Sequence, residues 1–510
     1  MDATPPVSTT LESPSRSDSR PLVRSFDMFD TLVARRCIEP HAVFQEMERR
    51  SGITNLASAR VAAEQAVASA QYDLDAIYRS LALKFGVSDA LCLNLKILEM
   101  EIESEMLFPI AQICALFRSG DVIVSDMYLP HGFLLEVLRD RCQLTPKRLY
   151  LSSDGKRSGR IWKSVFEDYR VAEHVGDNPI TDIRSANQAG ISARHVQLTA
   201  RSQVETAITD AGFPALAQLA REARLSTWHP SPSFRDAQLL QIQLNFPLLF
   251  LGCLKLVEMA KQRGWRRILF SGRDGFLWHG LYRALYPRLD GAPPGEYFYT
   301  SRITRMRPSP AYLAYFRDLY RDERCAVVDL VGTGWSVTRL IEQAETPDVD
   351  LFLIHWLDMP GLVQTYEAFA PLRTKVAPLA VVHRAANADD NEGLEELNRA
   401  PHPMVVDMAL TAAGFRPVLA ADDLSLASRR HLRFHHAAFS AAAALVADLP
   451  PSELEAMAER PVVRLMEALY GAMGGHLPKV SEFRAGKKKD EALVFATLGA
   501  RKDAMLDRKP

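Results

Sequence analysis

The chain has 510 residues, of which 47% are hydrophobic and 24% charged, and its formal net charge is −1. This length predicts two or three domains, and the composition is that of a globular protein. The near-zero charge excludes the global attraction to nucleic acid or acidic membranes that a strongly basic chain would have.

Several features indicate the compartment. The six cysteines are scattered without a CxxC pair, which argues against a zinc site or disulfide framework and fits a reducing environment. Residues 1–21 are rich in Ser, Thr and Pro, and we expect a disordered tail rather than a targeting segment. The apolar run 246–257 contains Pro247 and Lys255 and is too short to span a bilayer. We therefore predict a cytoplasmic protein with no membrane span.

The first domain is predicted over residues 22–204. Short β-type runs such as "LVRSFDMF", "DVIVSDMY" and "KRLYLSS" alternate here with amphipathic stretches of helix length. This alternation is typical of an α/β fold with a Rossmann-like parallel sheet wrapped by helices. The first two runs are separated by far more chain than one crossover helix needs. We expect a helical cap, inserted at about residues 37–106.

The rest of the chain divides into three predicted parts. Residues 205–235 form a polar, helix-like linker. Residues 236–420 contain a second strand–helix series, including "WRRILFSGRDGFLW" and "RCAVVDLVGTGWSVTRL", and form a second α/β domain. Residues 421–510 are rich in Ala and are predicted as a helical C-terminal region. The sequence does not indicate an oligomeric state.

Polar residues stand where the predicted strands of the first domain end. Asp27 and Ser125 close apolar strands, Lys156 lies in a loop before a helix, and Asp177 and Asp182 flank a strand-to-helix turn. Ligands bind at the carboxyl ends of strands in open α/β sheets, so these side chains are site candidates. Each of these residues, taken alone, could have a purely structural role. Asp182, for example, could stabilise the first turn of a helix, where a negative charge is favourable.

The stretches "FDMFDTL", "VIVSDMY", "YLSSDGKRSGR" and "HVGDNPITDI" together resemble, in order, the four motifs of the haloacid dehalogenase (HAD) superfamily. The resemblance covers about residues 22–200 and implies a HAD-type fold with a cap after the first strand. It also implies hydrolysis of a small phosphorylated substrate, with Asp27 as nucleophile. By the same resemblance, Ser125 binds a phosphate oxygen and Lys156 neutralises charge. The implied Mg²⁺ ligands are Asp27, Asp177, Asp182 and the main-chain carbonyl of Phe29.

The chemistry is consistent with this resemblance. A carboxylate can attack phosphorus in covalent catalysis, but two anions repel each other and need a cation between them. Mg²⁺ prefers carboxylate, phosphate and water oxygens. A lysine beside the reacting group stabilises negative charge in the transition state. The predicted cofactor is therefore Mg²⁺.

Phe29 departs from the family pattern. Phosphatases of the superfamily have a second Asp at this position, which protonates the leaving group. Asp30 or Asp126 could replace it, and we include Asp30 among the catalytic candidates. Two alternatives remain open: a dehalogenase-like hydrolase, whose leaving group needs no proton, and a non-catalytic protein that binds a phosphorylated ligand or serves as a scaffold. Phosphoryl hydrolysis is the preferred hypothesis.

The second domain has its own candidate ligand residues at Gly-rich turns between strands and helices. Helix N-termini at such turns favour anions, although the glycines could simply permit tight turns. The two-domain layout resembles uncharacterised HAD-type proteins found among surface-polysaccharide enzymes, which implies a sugar-phosphate or nucleotide-type ligand. Neither His431 and His435 nor the run "GKKK" predicts a zinc or nucleic-acid site. The candidates are Ser271, Arg273, Asp274, Arg302, Asp329, Thr333 and Ser336.

Overall fold

The computed structural model describes residues 19–68, 71–272, 274–357, 379–384, 394–422, 424–476, 492–494 and 496–498. The chain forms two compact units, residues 1–199 and 200–510. Most of the predicted N-terminal tail, the basic run at 486–489 and Arg273 lie outside the described residues. Both units contain a five-stranded parallel sheet with helices, which confirms the predicted α/β class.

The sheet of the first unit has the strand order β5-β4-β1-β6-β7, and all four pairings are parallel. Apolar residues such as Val23, Val122 and Val124 pack with Trp162 in one core cluster. This burial explains why the short Val- and Ile-rich runs form central strands. The strands are β1 Leu22–Phe26, β4 Val122–Asp126, β5 Arg148–Ser152, β6 Arg170–Gly176 and β7 Ser192–His195.

Four helices are inserted after β1, where the sequence predicts a cap. The insertion begins and ends in a two-stranded antiparallel ribbon, in which β2 (Val33–Arg35) pairs with β3 (Leu107–Pro109). Asp73 and Ser88 cap two of the helices by accepting backbone N–H groups. The helices are α1 His41–Ser51, α2 Leu56–Val67, α3 Leu74–Phe85 and α4 Asp89–Met106.

Short helices connect the parallel strands of the first unit. Residues Pro179–Arg184, between β6 and β7, form a π-helix. Asn178 caps this turn, because its side chain accepts the backbone N–H groups of Ile180 and Thr181. The α-helices are α5 Ala111–Cys114, α6 His131–Cys142, α7 Arg160–Asp168 and α8 Ser185–Gln188.

The sheet of the second unit has the strand order β12-β11-β10-β8-β9, again parallel throughout. An antiparallel hairpin, β13 (Val405–Thr411) and β14 (Gly414–Leu419), follows this sheet in the chain. The strands of the sheet are β8 Arg267–Ser271, β9 Gly295–Phe298, β10 Cys325–Gly332, β11 Val349–Leu357 and β12 Leu379–Arg384.

The segment 205–235 differs from the predicted linker, because it contributes to the core of the second unit. Leu216 and Leu219 of this segment are buried with Phe246 and Phe250 in one hydrophobic cluster. The polar residues of the segment suggest a connector, but its apolar residues repeat at helical spacing and need a partner. The helices here are α9 Gln203–Asp210, α10 Pro214–Ser226, α11 Pro232–Leu240 and α12 Phe246–Arg263.

One helical stretch, Pro232–Arg263, is long and apolar enough to cross a membrane by length and composition, and 94% of its most apolar window is buried inside the protein. The apolar run 246–257 lies within it, and most of its residues are buried. The remaining α-helices of the second unit up to β11 flank the sheet. They are α13 Phe276–Leu285, α14 Arg302–Met306, α15 Pro310–Tyr320 and α16 Trp335–Ala344.

The described part of the C-terminal region is helical, as the sequence predicts for residues 421–510. Its helices are Leu426–Ala444, Pro451–Ala458 and Val463–His476. His431 and His435 are both buried on the first of these helices, with ring centroids 4.6 Å apart. These two histidines are therefore packed side chains of a helix face.

Candidate functional site

The carboxyl edge of the first sheet carries polar side chains from three neighbouring strands. Asp27 directly follows β1, Ser125 is the fourth residue of β4, and Asp177 directly follows β6. The parallel register pairs the last residue of β1 with both neighbouring strands, so these residues lie at one edge. Asp27 and Ser125 are buried, and Asp177 is half-buried.

Lys156 links the strand ends. Its Nζ donates a 2.5 Å hydrogen bond to Asp27 Oδ1 and a second bond to Asp182 Oδ1, and its side chain is almost fully buried. The backbone N–H of Lys156 donates to both carboxylate oxygens of Asp126, at 2.9 and 3.1 Å. Asp126 therefore holds the loop that positions Lys156.

Three carboxylates converge beside this lysine. Asp27, Asp177 and Asp182 each have an oxygen within 4.8 Å of an oxygen of the other two. Asp182 is fixed by its position in the π-helix, and its Oδ2 accepts the backbone N–H of Asn178 at 2.9 Å. Gly176 permits this approach, since a Cβ there would lie 2.4 Å from Asp182 Cγ.

The charges of this cluster are strongly coupled. Burial raises the pKa of Asp27 well above its ordinary value, although Lys156 opposes the shift. Burial and the Asp182 carboxylate raise the pKa of Asp177 to about 6. Burial acts against the charged forms of Lys156 and Asp182. The carboxylates of Asp27 and Asp182 nevertheless raise the pKa of Lys156, and the hydrogen bond with His174 together with the Lys156 charge lowers the pKa of Asp182.

These shifts suit a cation site. Three carboxylates face one ammonium group, which gives a net of two negative charges when all are ionised. A divalent cation between Asp27 and Asp177 would reverse the upward pKa shift of both groups, and carboxylate oxygens are the ligands that Mg²⁺ prefers. The donor set therefore fits Mg²⁺, with Asp182 engaged mainly in holding Lys156.

A buried histidine behind the cluster was not among the predicted residues. His174 on β6 is fully buried between Ser25 and Asp182, with Nδ1 2.8 Å from Ser25 Oγ and Nε2 3.4 Å from Asp182 Oδ1. Burial lowers the pKa of His174, which favours the neutral ring. Ser25 and His174 are also register partners on neighbouring strands. The indication that the sequence offers for this pair is that Ser25 and His174 are polar residues inside apolar strands.

In the loop after Asp27, the side chains of Phe29 and Asp30 lie in different surroundings. The Phe29 ring packs against the guanidinium of Arg35, with 4.6 Å between the guanidinium carbon and the ring centroid. Asp30 has a left-handed backbone (φ 56°), and its charge contributes to the raised pKa of Asp177. Asp30 is half-buried, close enough to the cluster to influence its charge.

A cavity of about 290 Å³ lies between the inserted helices and the carboxyl ends of β4 and β5. Its walls include Tyr72 and Tyr128, whose rings stack with centroids 6.2 Å apart, and Lys96. Residues 127–131 and 151–153, which adjoin the segments of Ser125 and Lys156 in the chain, form the other walls. Asp27, Lys156 and Asp177 are not among its lining residues.

Protein-family models and curated proteins give no match to this chain. Function therefore has to be inferred from the chemistry and geometry of the site.

The second unit has a separate polar cluster at the carboxyl edge of its sheet. Arg305 donates from Nη1 to Asp329 Oδ2 at 3.2 Å and to Ser336 Oγ at 3.5 Å, and from Nε to Thr300 Oγ1 at 3.2 Å. Asp329 is buried at the end region of β10, and burial raises its pKa although Arg305 opposes the shift. Arg305 thus connects three chain segments.

The structure brings only some of the predicted candidates of the second unit into this cluster. Asp329 and Ser336 belong to this cluster. Arg302 is exposed, and Arg305, one helical turn later, makes the contact with Asp329. Thr333 Oγ1 accepts the backbone N–H of Trp335 at 3.3 Å, and Asp274 is half-buried just before α13. Ser271 is fully buried at the end of β8.

Proposed function

We propose that the first unit is a HAD-superfamily hydrolase that cleaves a phosphorylated small molecule with Mg²⁺, using Asp27 as nucleophile. The observation that carries this proposal is the convergence of Asp27, Asp177 and Asp182 beside Lys156 at one sheet edge. Three distant chain segments meet there, and Ser125 stands near the end of the neighbouring strand β4. A sugar-phosphate or nucleotide-type substrate follows from the resemblance in the sequence.

Each residue has a role in this proposal. Asp27 presents a carboxylate oxygen to phosphorus, and Lys156, held by Asp182, keeps a positive charge beside it. Ser125, on the neighbouring strand, donates its hydroxyl to a phosphate oxygen. Asp27, Asp177 and the carbonyl of Phe29 would hold Mg²⁺, which when bound reduces the repulsion between the nucleophile and the anionic substrate.

Proton transfer to the leaving group is the step that distinguishes this chain. Phe29 cannot donate a proton, and Asp126 is engaged by the backbone N–H of Lys156. Asp30 is the nearest remaining carboxyl in the loop. General acid catalysis contributes about 10²- to 10⁴-fold, so we propose slow or specialised turnover, with a leaving group that needs little protonation.

Phe29 also favours a second candidate function, which is binding of a phosphorylated ligand without turnover. The charged cluster would then hold the ligand for a sensor or scaffold role. A dehalogenase-like hydrolase explains Phe29 equally well, but it leaves the acidic cluster at 27, 177 and 182 without a purpose.

A phosphatase panel with Mg²⁺ tests the proposal. We expect turnover by the wild type and its loss in Asp27→Asn, while Asp140→Asn, at an exposed position of α6, retains it. Beryllium fluoride, which mimics an aspartyl-phosphate, should protect the wild type but not Asp27→Asn from hydrogen exchange around residue 27. Ligand-induced stabilisation in both proteins with no turnover in either would support the binding function instead.

Restoring the missing acid is a sharper test. In Phe29→Asp, a carboxyl replaces the ring at the position where the family has its acid. We expect the rate on poor leaving groups to rise by about 10²-fold or more, and the rate on nitrophenyl phosphate to change much less. An equal change for both substrates would contradict the proposed role of position 29.

A further inference from the structure

The topology of the second sheet contains a switch point that the proposed hydrolysis does not use. Along the sheet, β9 lies on one side of β8 and β10 lies on the other. The connections that leave β8 and β10 therefore run in opposite directions, toward β9 and β11 respectively. In open parallel sheets, ligands bind outside the carboxyl ends of the strands at such a switch point.

Two polar residues follow the last paired residues of β8 and β10 at this boundary. The register pairs Phe270 of β8 with Val328 of β10, so the next residues, Ser271 and Asp329, are neighbours on the same sheet face. Ser271 is fully buried, and its hydroxyl has no hydrogen-bond partner among the described residues. A buried hydroxyl without a partner is costly, which points to a group that is bound there.

Arg305 provides the positive charge at the switch point. Its side chain is only 12% exposed and is held by Thr300, Asp329 and Ser336 from three different segments. A guanidinium that is fixed in this way is suited to phosphate, which it can bind through two parallel N–H groups.

The turn at 332–334 adds backbone donors. It leads into α16, a helix of ten residues, and Gly334 adopts a left-handed backbone (φ 76°) that suits glycine. Residues 332–336 are half-exposed, so a ligand can reach them. The N-terminus of a helix carries partial positive charge and unpaired N–H groups, which favour an anion.

We propose that the second unit binds the phosphate group of a small ligand at the β8–β10 switch point. The binding groups are the Arg305 guanidinium, the Ser271 and Ser336 hydroxyls and the N-terminus of α16. All of these groups belong to the second unit, and none of them is a residue of the proposed Mg²⁺ site.

The test uses the full chain in EDTA with inorganic pyrophosphate as the probe. Calorimetry measures the affinity, and hydrogen exchange locates the binding. We expect protection of peptides covering residues 329–344. EDTA removes the divalent cation that the proposed reaction of Asp27 needs, so pyrophosphate binding is measured while that reaction is switched off. Loss of phosphatase activity and loss of this protection are therefore independent results.

Ser271→Ala is the decisive variant. We expect about tenfold weaker pyrophosphate binding with an unchanged or higher melting temperature, because no described hydrogen bond is lost. Arg305→Lys keeps the charge but loses the planar fork, and we expect a similar loss of affinity. Arg324→Met, an exposed arginine just before the opposite end of β10, is the matched control and should bind normally. Absence of protection at 329–344 in the wild type, or equal affinity of wild type and Ser271→Ala, would overturn the proposal.

Discussion

Replacing Lys156 with Met tests whether the ion pairs at the first sheet edge have the energetic weight that the structure implies. Lys156 Nζ lies 2.5 Å from Asp27 Oδ1, and the side chains of Lys156, Asp27 and Asp182 are at most 7% exposed. At an effective dielectric constant of about 20, two unit charges at this distance attract by roughly 7 kcal/mol. The desolvation of the two charges offsets part of this attraction.

The expected net loss is about 3–5 kcal/mol, because removing one partner leaves buried carboxylates without compensation. The assay is hydrogen exchange of peptides covering residues 22–35, which reports the opening free energy of the first unit. Lys163→Met, at an exposed position of α7, is the matched control and should change stability by less than about 0.5 kcal/mol.

A double variant separates this explanation from general damage to packing. In Lys156→Met with Asp27→Asn, one uncompensated charge is also removed, so we expect the double variant to be at least about 1 kcal/mol more stable than the sum of the single losses. Additive losses, or a loss below about 1 kcal/mol in Lys156→Met alone, would refute the reasoning.

Three further predictions concern other features. If Mg²⁺ binds as proposed, a concentration ten times its Kd should stabilise the first unit by about 1.4 kcal/mol in thermal melting, and Asp177→Asn should lose this stabilisation. Gly176→Ala should cost about 1–3 kcal/mol and displace Asp182, whereas Gly120→Ala, with open space around its Cβ, should be tolerated in the same melting assay. Burial lowers the pKa of His435 to about 3. The unfolded chain therefore binds more protons between about pH 6.5 and 3, and stability should fall by up to about 1.4 kcal/mol per pH unit as the pH drops through this range. His435→Leu should flatten the slope in denaturant titrations, and an unchanged slope would contradict the assignment.

The sheet edge of the first unit could be predicted from the sequence because its residues follow apolar strands. Parallel strands bring their carboxyl ends to one edge, so Asp27 and Asp177 had to approach each other once the strands paired. The partners of Lys156 depend on loop geometry, and sequence spacing does not fix that geometry. The sequence shows polar residues at Ser25 and His174 but not that their strands pair in this register, so the contacts of His174 could not be predicted.

In the second unit, the stretch "TSRITRMR" offers both Arg302 and Arg305 as candidate phosphate ligands, and the sequence does not show which of the two faces the sheet. Arg302 and Arg305 lie one turn apart on a helix of five residues, too short for periodicity to show which one faces the sheet. The sequence predicts a linker at 205–235 because polar residues and prolines interrupt the segment, and its apolar stripe becomes recognisable only when its partner helices are known.

The antiparallel ribbon of Val33–Arg35 and Leu107–Pro109 brings the two ends of the inserted helices side by side. Because the two ends of the inserted segment lie side by side, the segment does not change the distance between the strands that it connects. The length of the insertion can therefore vary without changing the geometry of the sheet. Excising residues 41–106 and closing the ribbon with a short turn should leave the Asp27 loop in place. Replacing the four helices should therefore change which ligands can reach the carboxylates without changing the positions of the carboxylates.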